Sequence, residues 1–227
     1  MQHTRSIQNR EPRLAVFLLY LIAGVFIVSS IFSCGKKSEE TSGNKLPDDI
    51  YSLELLKDRK EKDLHFLASA SSPLPPADQE HFKELRYFPP NRDFIFRCIV
   101  QRHPSAREFT IQTSKNKPRR MINIGFLAFT HHETEYKLQL YAPKDTTGSG
   151  MYYFLPFKDA TNGKETYGAG RFLDFDDVKS DTLFLDFNYA YNPYCAYNDR
   201  YDCPIPPVEN HLPIEILAGE KAYGAHH

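Results

Sequence analysis

Residues 120–141, RMINIGFLAFTHHETEYKLQLY, decide the fold class. Apolar residues dominate Arg120–Phe129 and alternate with polar ones over Glu135–Tyr141, which is strand patterning, not helical patterning. Between the two runs, His131-His132-Glu133-Thr134 reads as an exposed hairpin tip. Strands joined so tightly pair antiparallel, because a parallel connection needs a crossover of a dozen or more residues.

The same pattern extends outward. Asp93–Gln101, Glu108–Thr113, Met151–Pro156, Gly170–Phe175 and Asp181–Asn188 read as strands, with Pro213–Leu217 as a late one. Turn signals at Lys115-Asn116-Lys117-Pro118 and Thr147-Gly148-Ser149-Gly150 punctuate them. Upstream the period changes. Pro47-Asp48-Asp49 is a helix start, with proline in the first turn and acids at the positive end. Leu53, Leu56, Leu64 and Leu67 fall near one helical stripe, and the helix is predicted to end near Ser69. The SASSPLPP segment then leads to a short helix, Ala77–Leu85. The expected fold is mainly β with N-terminal helices (α+β), an antiparallel β-sandwich or partly open barrel with the helices on one side or edge. The 16 prolines argue against a helical bundle.

The N-terminus supplies an address. Leu14–Phe32 is apolar, follows Arg5, Arg10 and Arg13, and runs into Ser33-Cys34. Ile31-Phe32-Ser33-Cys34 resembles the lipobox of bacterial lipoproteins, although Phe32 is bulkier than the pattern's usual small residue. The resemblance implies a signal peptide over residues 1–33 and a lipid-modified Cys34 as the new N-terminus. An uncleaved span over the same residues is the alternative, and the arginines place the remainder outside under either reading. Gly35–Lys45 is a polar tether, so the expected order is signal 1–33, anchored tether 34–45 and a single domain 46–227. The expected location is the bacterial cell envelope, facing periplasm or cell surface, with the membrane as partner through the anchor.

Removing residues 1–33 takes three arginines and Glu11 from 28 basic and 29 acidic residues, leaving 25 and 28. No basic excess remains, so nucleic acid is not an expected partner. Cys195 and Cys203 enclose seven residues and are expected to form a disulfide outside the cytoplasm. Cys98 lies in an apolar run and reads as a buried core thiol.

The final third differs from the rest. Five tyrosines occupy residues 189–201, and prolines recur at 193, 204, 206, 207 and 213. A long irregular segment of that composition is more often a functional loop than a disordered one. Its motifs resemble a family of uncharacterised bacterial and archaeal proteins, a domain of unknown function with patterns ETYGGGRYLD, LDFNxAYNPxCAY, CPxPPxEN and AGEK. The matching residues are Glu165-Thr166-Tyr167-Gly168, Gly170-Arg171, Leu185-Asp186-Phe187-Asn188, Ala190-Tyr191-Asn192-Pro193, Cys195-Ala196-Tyr197, Cys203-Pro204, Pro206-Pro207, Glu209-Asn210 and Ala218-Gly219-Glu220-Lys221. Ala169 replaces the family glycine. The resemblance runs from about Lys57 to Tyr223 and implies no activity.

These motifs hold the candidate ligand-binding residues: Glu165, Arg171, Asp186, Asn188, Tyr191 and Asn192. If residues 176–181 turn the chain back, Arg171 stands opposite Asp186 in a bidentate pair. The functional reading is a polar pocket walled by tyrosines; the plain alternative is a cross-strand ion pair with turn-capping side chains. The favoured function is binding of a small polar or saccharide ligand, or a partner. A hydrolase using Glu165 and Asp186 with Arg171 as anion clamp is the alternative. No cofactor is expected. Cys195, Cys203 and His211 match no familiar zinc spacing, so no metal is expected. Tyr167-Gly168-Ala169-Gly170 lacks the helix a dinucleotide site needs, and no nucleophile-elbow motif is present.

Overall fold

The computed structural model describes residues 49–144, 152–176 and 181–224. The signal segment, Cys34 and the tether lie outside the described residues. None of the described helices is long and apolar enough to cross a membrane.

Helix α1 spans Ile50–Ala68 and α2 spans Pro76–His81. Asp49 caps α1 by accepting from the Ser52 amide at 2.9 Å, which satisfies an amide the helix itself cannot. The strands are β1 (Ile95–Ile111), β2 (Arg119–His131), β3 (Thr134–Pro143), β4 (Tyr152–Phe157), β5 (Arg171–Asp176) and β6 (Thr182–Asp186). They form one antiparallel sheet in the order β5-β4-β3-β2-β1-β6, curled into a half-barrel. The expected class is therefore correct, in its open-barrel form.

The deciding hairpin forms as read. His131 pairs with Thr134, and the two residues between, His132 and Glu133, take φ of 46° and 63°. Positive φ at both central positions is the turn whose twist matches that of the flanking strands. Residues 93–101 and 108–113, expected as two strands, are instead one long strand, β1. Its pairing with β2 slips between Arg102 and Arg107, and Pro104, which has no amide to donate, sits inside that slip. Gly125 faces the slip from β2; a Cβ there would lie 2.1 Å from the Gln101 carbonyl. Glycine thus lets the two strands close on each other and bend.

Pro213–Leu217 is not a strand. Its carbonyls go elsewhere: Ile214 accepts from the Ala160 amide and Ile216 from the Arg171 side chain. The α1 stripe also differs from expectation. Leu53 is 55 % exposed and Leu64 52 %, while Ser52, Leu55, Arg59, Asp63 and Phe66 are buried. The buried face is partly polar because α1 packs on loops with amides and carbonyls to satisfy. Arg59 donates to the carbonyls of Phe88 and Asn188, and Asp63 accepts from the Leu85 amide.

Both faces of the sheet are used. The main core holds Leu127, Leu138, Leu155, Leu173, Phe175, Leu185 and Phe187. A second cluster of Ile111, Met121, Tyr141, Phe154 and Phe172 lies apart from it. The opposite pointing of successive strand side chains places these two sets on opposite faces.

Candidate functional site

The motif residues fall into separate places. β5 and β6 lie at opposite edges of the sheet, so Arg171 and Asp186 do not face each other. Arg171 points into the interior with no solvent exposure. Its Nη2 donates to Asp159 Oδ2 at 2.7 Å and to the Ile216 carbonyl at 3.0 Å, and its Nη1 donates to the Ala218 carbonyl at 2.5 Å. It clamps the C-terminal segment to β5.

Asp186 ends β6. It accepts from the Asn188 amide and side chain, each at 2.9 Å, and from the Tyr51 hydroxyl at 2.7 Å. Burial raises its pKa, and these hydrogen bonds oppose the rise. Asn188 in turn exchanges two hydrogen bonds with the Asn91 backbone, at 2.8 and 2.7 Å. The pair joins α1, the approach to β1 and the end of β6.

Asn192 serves a third knot. Its amide and side chain donate to Glu220 at 3.2 and 3.1 Å. The same buried carboxylate accepts from Lys62 at 2.8 Å and from the Tyr197 hydroxyl. Glu220 thus ties the AYNP and AGEK motifs to α1. Glu165 is exposed, and its backbone carbonyl accepts from the Ala222 amide. No hydrogen bond or ion pair joins Glu165 to Asp186 among the described residues.

Cys195 and Cys203 correct the expected disulfide. Both are free thiols. The Cys203 sulfur accepts from the Cys195 amide at 3.2 Å, and the two thiols share a hydrogen bond that lowers the pKa of Cys195 and raises that of Cys203. That arrangement directs the Cys203 sulfur to a backbone amide. Cys98 is buried, as expected, and burial pushes its thiol up to about 12. The His211 ring shares a hydrogen bond with the Pro206 carbonyl, and no three metal-ligating side chains gather among the described residues.

Tyr191 leads to a different site. It adds to the edge of β5 through two backbone hydrogen bonds with Phe172, at 2.9 and 3.0 Å. The chain then crosses the second face of the sheet. It docks on the end of β1, where Cys203 accepts from the Ser114 amide and Ile205 donates to Gln112. Beneath this strap lies a cavity of about 630 Å³, within the range of small-molecule sites. Met121, Phe154 and Phe172 form its floor, Tyr152 and Tyr194 its walls, and Arg119, Arg120 and Arg200 also line it.

Asp174 sits in this cavity, one alternation along β5 from Phe172. The Tyr191 hydroxyl donates to its Oδ2 at 2.5 Å. Burial is the main cause pushing its pKa up to about 7, opposed by that hydrogen bond and reinforced by the charge of Asp176. Such a carboxyl exchanges a proton near neutrality, the property required of a group that accepts or donates to a bound ligand. Of the six residues singled out by sequence, Tyr191 alone lines the cavity. Asp174 was visible in RFLDF as the polar member of the Phe172 face.

The match to a family model settles the chain's membership. Residues 80–221 match the model described as protein of unknown function (DUF1684). The chain belongs to this family. The DUF1684 match spans the whole sheet and the strap that roofs the cavity. A solution NMR structure of an uncharacterized protein from Haloarcula marismortui is similar to it, with 31 % identity and a TM-score of 0.60, over 78 % of this chain and 96 % of that one. No curated protein matches.

Proposed function

We propose that this DUF1684 protein is an extracytoplasmic, lipid-anchored binding protein that takes a small polar or saccharide ligand between its sheet and its C-terminal strap. The cavity with Asp174 and Tyr191 at its base is the observation that carries the reading. It is concave, partly apolar and supplied with a few converging polar groups. The motif residues outside it hold its roof: Asn192 and Glu220 secure one part of the strap, and Arg171 secures the tail against β5. Glu165 is exposed and Asp186 is committed to three donors, which supports binding over hydrolysis by that pair.

Cys34 in its lipobox-like setting supports the anchor. Ile50, Leu53, Leu64 and Leu67 are exposed on α1, the element that follows the tether, and suit a surface held near lipid. Cys34→Ala is expected to abolish incorporation of a fatty-acid probe, and persistent labelling contradicts the anchor. For the cavity, a thermal-shift screen of sugars, nucleotides and organic acids is expected to give a hit. A ligand at a hundred times its Kd stabilises the fold by about 2.7 kcal/mol, and Tyr152→Ala is expected to remove the shift. A panel without any shift contradicts the reading.

A further inference from the structure

The charges lining the cavity define its occupant more narrowly. Arg119 and Arg200 bring two guanidinium groups, against the carboxyls of Asp174 and Asp202; Arg120, paired with Thr110, alternates to the other face of the sheet, beside Glu108. Asp202 spends its carboxylate on the Lys115 amide at 2.9 Å and on Ser114. Asp174 keeps its proton up to about pH 7. While Asp174 is protonated, two guanidiniums stand against the single charge of Asp202, so the lining is net positive, within a chain whose formal net charge is −1. Planar guanidiniums at the rim of a cavity suit bidentate recognition of carboxylates and phosphates.

Both arginines are held in place. Arg119 Nη2 donates to the Asp202 carbonyl. Arg200 Nη2 donates to the Tyr201 hydroxyl at 2.7 Å and to the Ser72 carbonyl at 3.4 Å, with its guanidinium 4.8 Å from the Tyr201 ring centre. The floor is apolar: Phe154 and Phe172 meet edge to face, their centres 4.8 Å apart. Tyr194 and Tyr201 form a second aromatic pair, centres 5.0 Å apart, on the strap side.

We propose that the cavity binds a ring-bearing organic anion. Its carboxylate or phosphate meets Arg119 and Arg200, its ring rests against the apolar floor of Phe154 and Phe172, and a hydroxyl or amide on the ring bonds to Asp174. The inference rests on the cavity being the ligand site and adds the charge and shape of the ligand.

The test is calorimetric titration of the full chain in detergent at pH 7. Three anions are used, 4-hydroxybenzoate, phenyl phosphate and glucuronate, each beside an uncharged counterpart: 4-hydroxybenzamide, phenol and glucose. At least one anion is expected to bind at least tenfold tighter than its counterpart. Arg119→Gln and Arg200→Gln, both at exposed positions, are each expected to weaken that anion by about tenfold or more, the scale of one lost charge-assisted hydrogen bond, with the Tm unchanged. Equal binding of charged and uncharged members, lost in Tyr152→Ala, overturns the anion inference and leaves the cavity reading standing. An anion bound with unchanged affinity in both arginine variants overturns the inference as well. Binding of no probe of either kind overturns the inference, and the cavity reading with it if the wider screen is also silent.

Discussion

Arg171→Met is expected to lower the Tm of the domain by about 6–20 °C, the largest effect of any single substitution here. The guanidinium is fully enclosed and its partners are Asp159 and the carbonyls of Ile216 and Ala218. Methionine fills most of the volume and leaves Asp159 as a buried charge without its counter-ion. Breaking a buried pair from one side costs about 3–5 kcal/mol, against a total stability on the order of 5–15 kcal/mol. For a domain of this size each kcal/mol moves the Tm by about 2–4 °C. Adding Asp159→Asn is expected to recover part of the loss, because it removes the stranded charge and keeps an acceptor for the Thr161 amide. Thermal unfolding followed by circular dichroism measures both. A wild-type Tm in Arg171→Met contradicts the clamp.

Asp174→Asn is expected to act in the opposite sense, raising the Tm at pH 8 by about 5–10 °C. The folded carboxyl keeps its proton to about pH 7, whereas the unfolded chain releases it near 3.9. Between those two values the folded state holds the extra proton, so stability falls as pH rises, and above about 7 the fall is complete. At pH 8 the ionised group costs on the order of 2–4 kcal/mol. Asparagine carries no charge to bury and still accepts from the Tyr191 hydroxyl. The gain is expected to shrink steadily as pH falls toward 4. A gain that does not vary with pH, or a loss of stability at pH 8, contradicts the placement of Asp174 in a poorly solvated site. The same variant is expected to lose ligand, since a group that costs stability in the empty site is retained for what it binds.

The sheet was legible because a strand writes its two faces into alternate residues, and most strand limits fall within a residue or two of expectation. The exceptions have local causes. Pro104 reads as a break, yet it occupies the one part of β1 where no ladder amide is needed. Pro213–Leu217 has the composition of a strand, but Arg171 and Ala160 take its carbonyls. The leucine stripe of α1 misleads because Arg59 and Asp63 are buried to satisfy loop backbone, a demand that hydrophobic periodicity does not record.

The site was legible only in outline. The motifs do concentrate around the strap, but Arg171, Asp186, Asn188 and Asn192 bond to their own chain, and a residue that clasps a loop carries the same side chain as one that grips a ligand. The expected Arg171–Asp186 pair assumed that β5 and β6 are neighbours, whereas β6 pairs with β1 across the sheet. Asp174 escaped notice because an acid alternating with phenylalanine reads as the solvent side of a strand. The strap that covers that side is a tertiary feature, fixed by the bridges from Tyr191 to Phe172 and from Pro204 to Thr113.

The most direct test is the titration of the Asp174 side-chain carboxyl by carbon NMR, in the free protein and in protein saturated with the tightest ligand from the screen. A midpoint near 7 in the free protein, displaced when ligand is bound, is the predicted result. A midpoint near the ordinary carboxylate value of about 4, or one that saturating ligand leaves unmoved, contradicts the assignment of this cavity as the binding site.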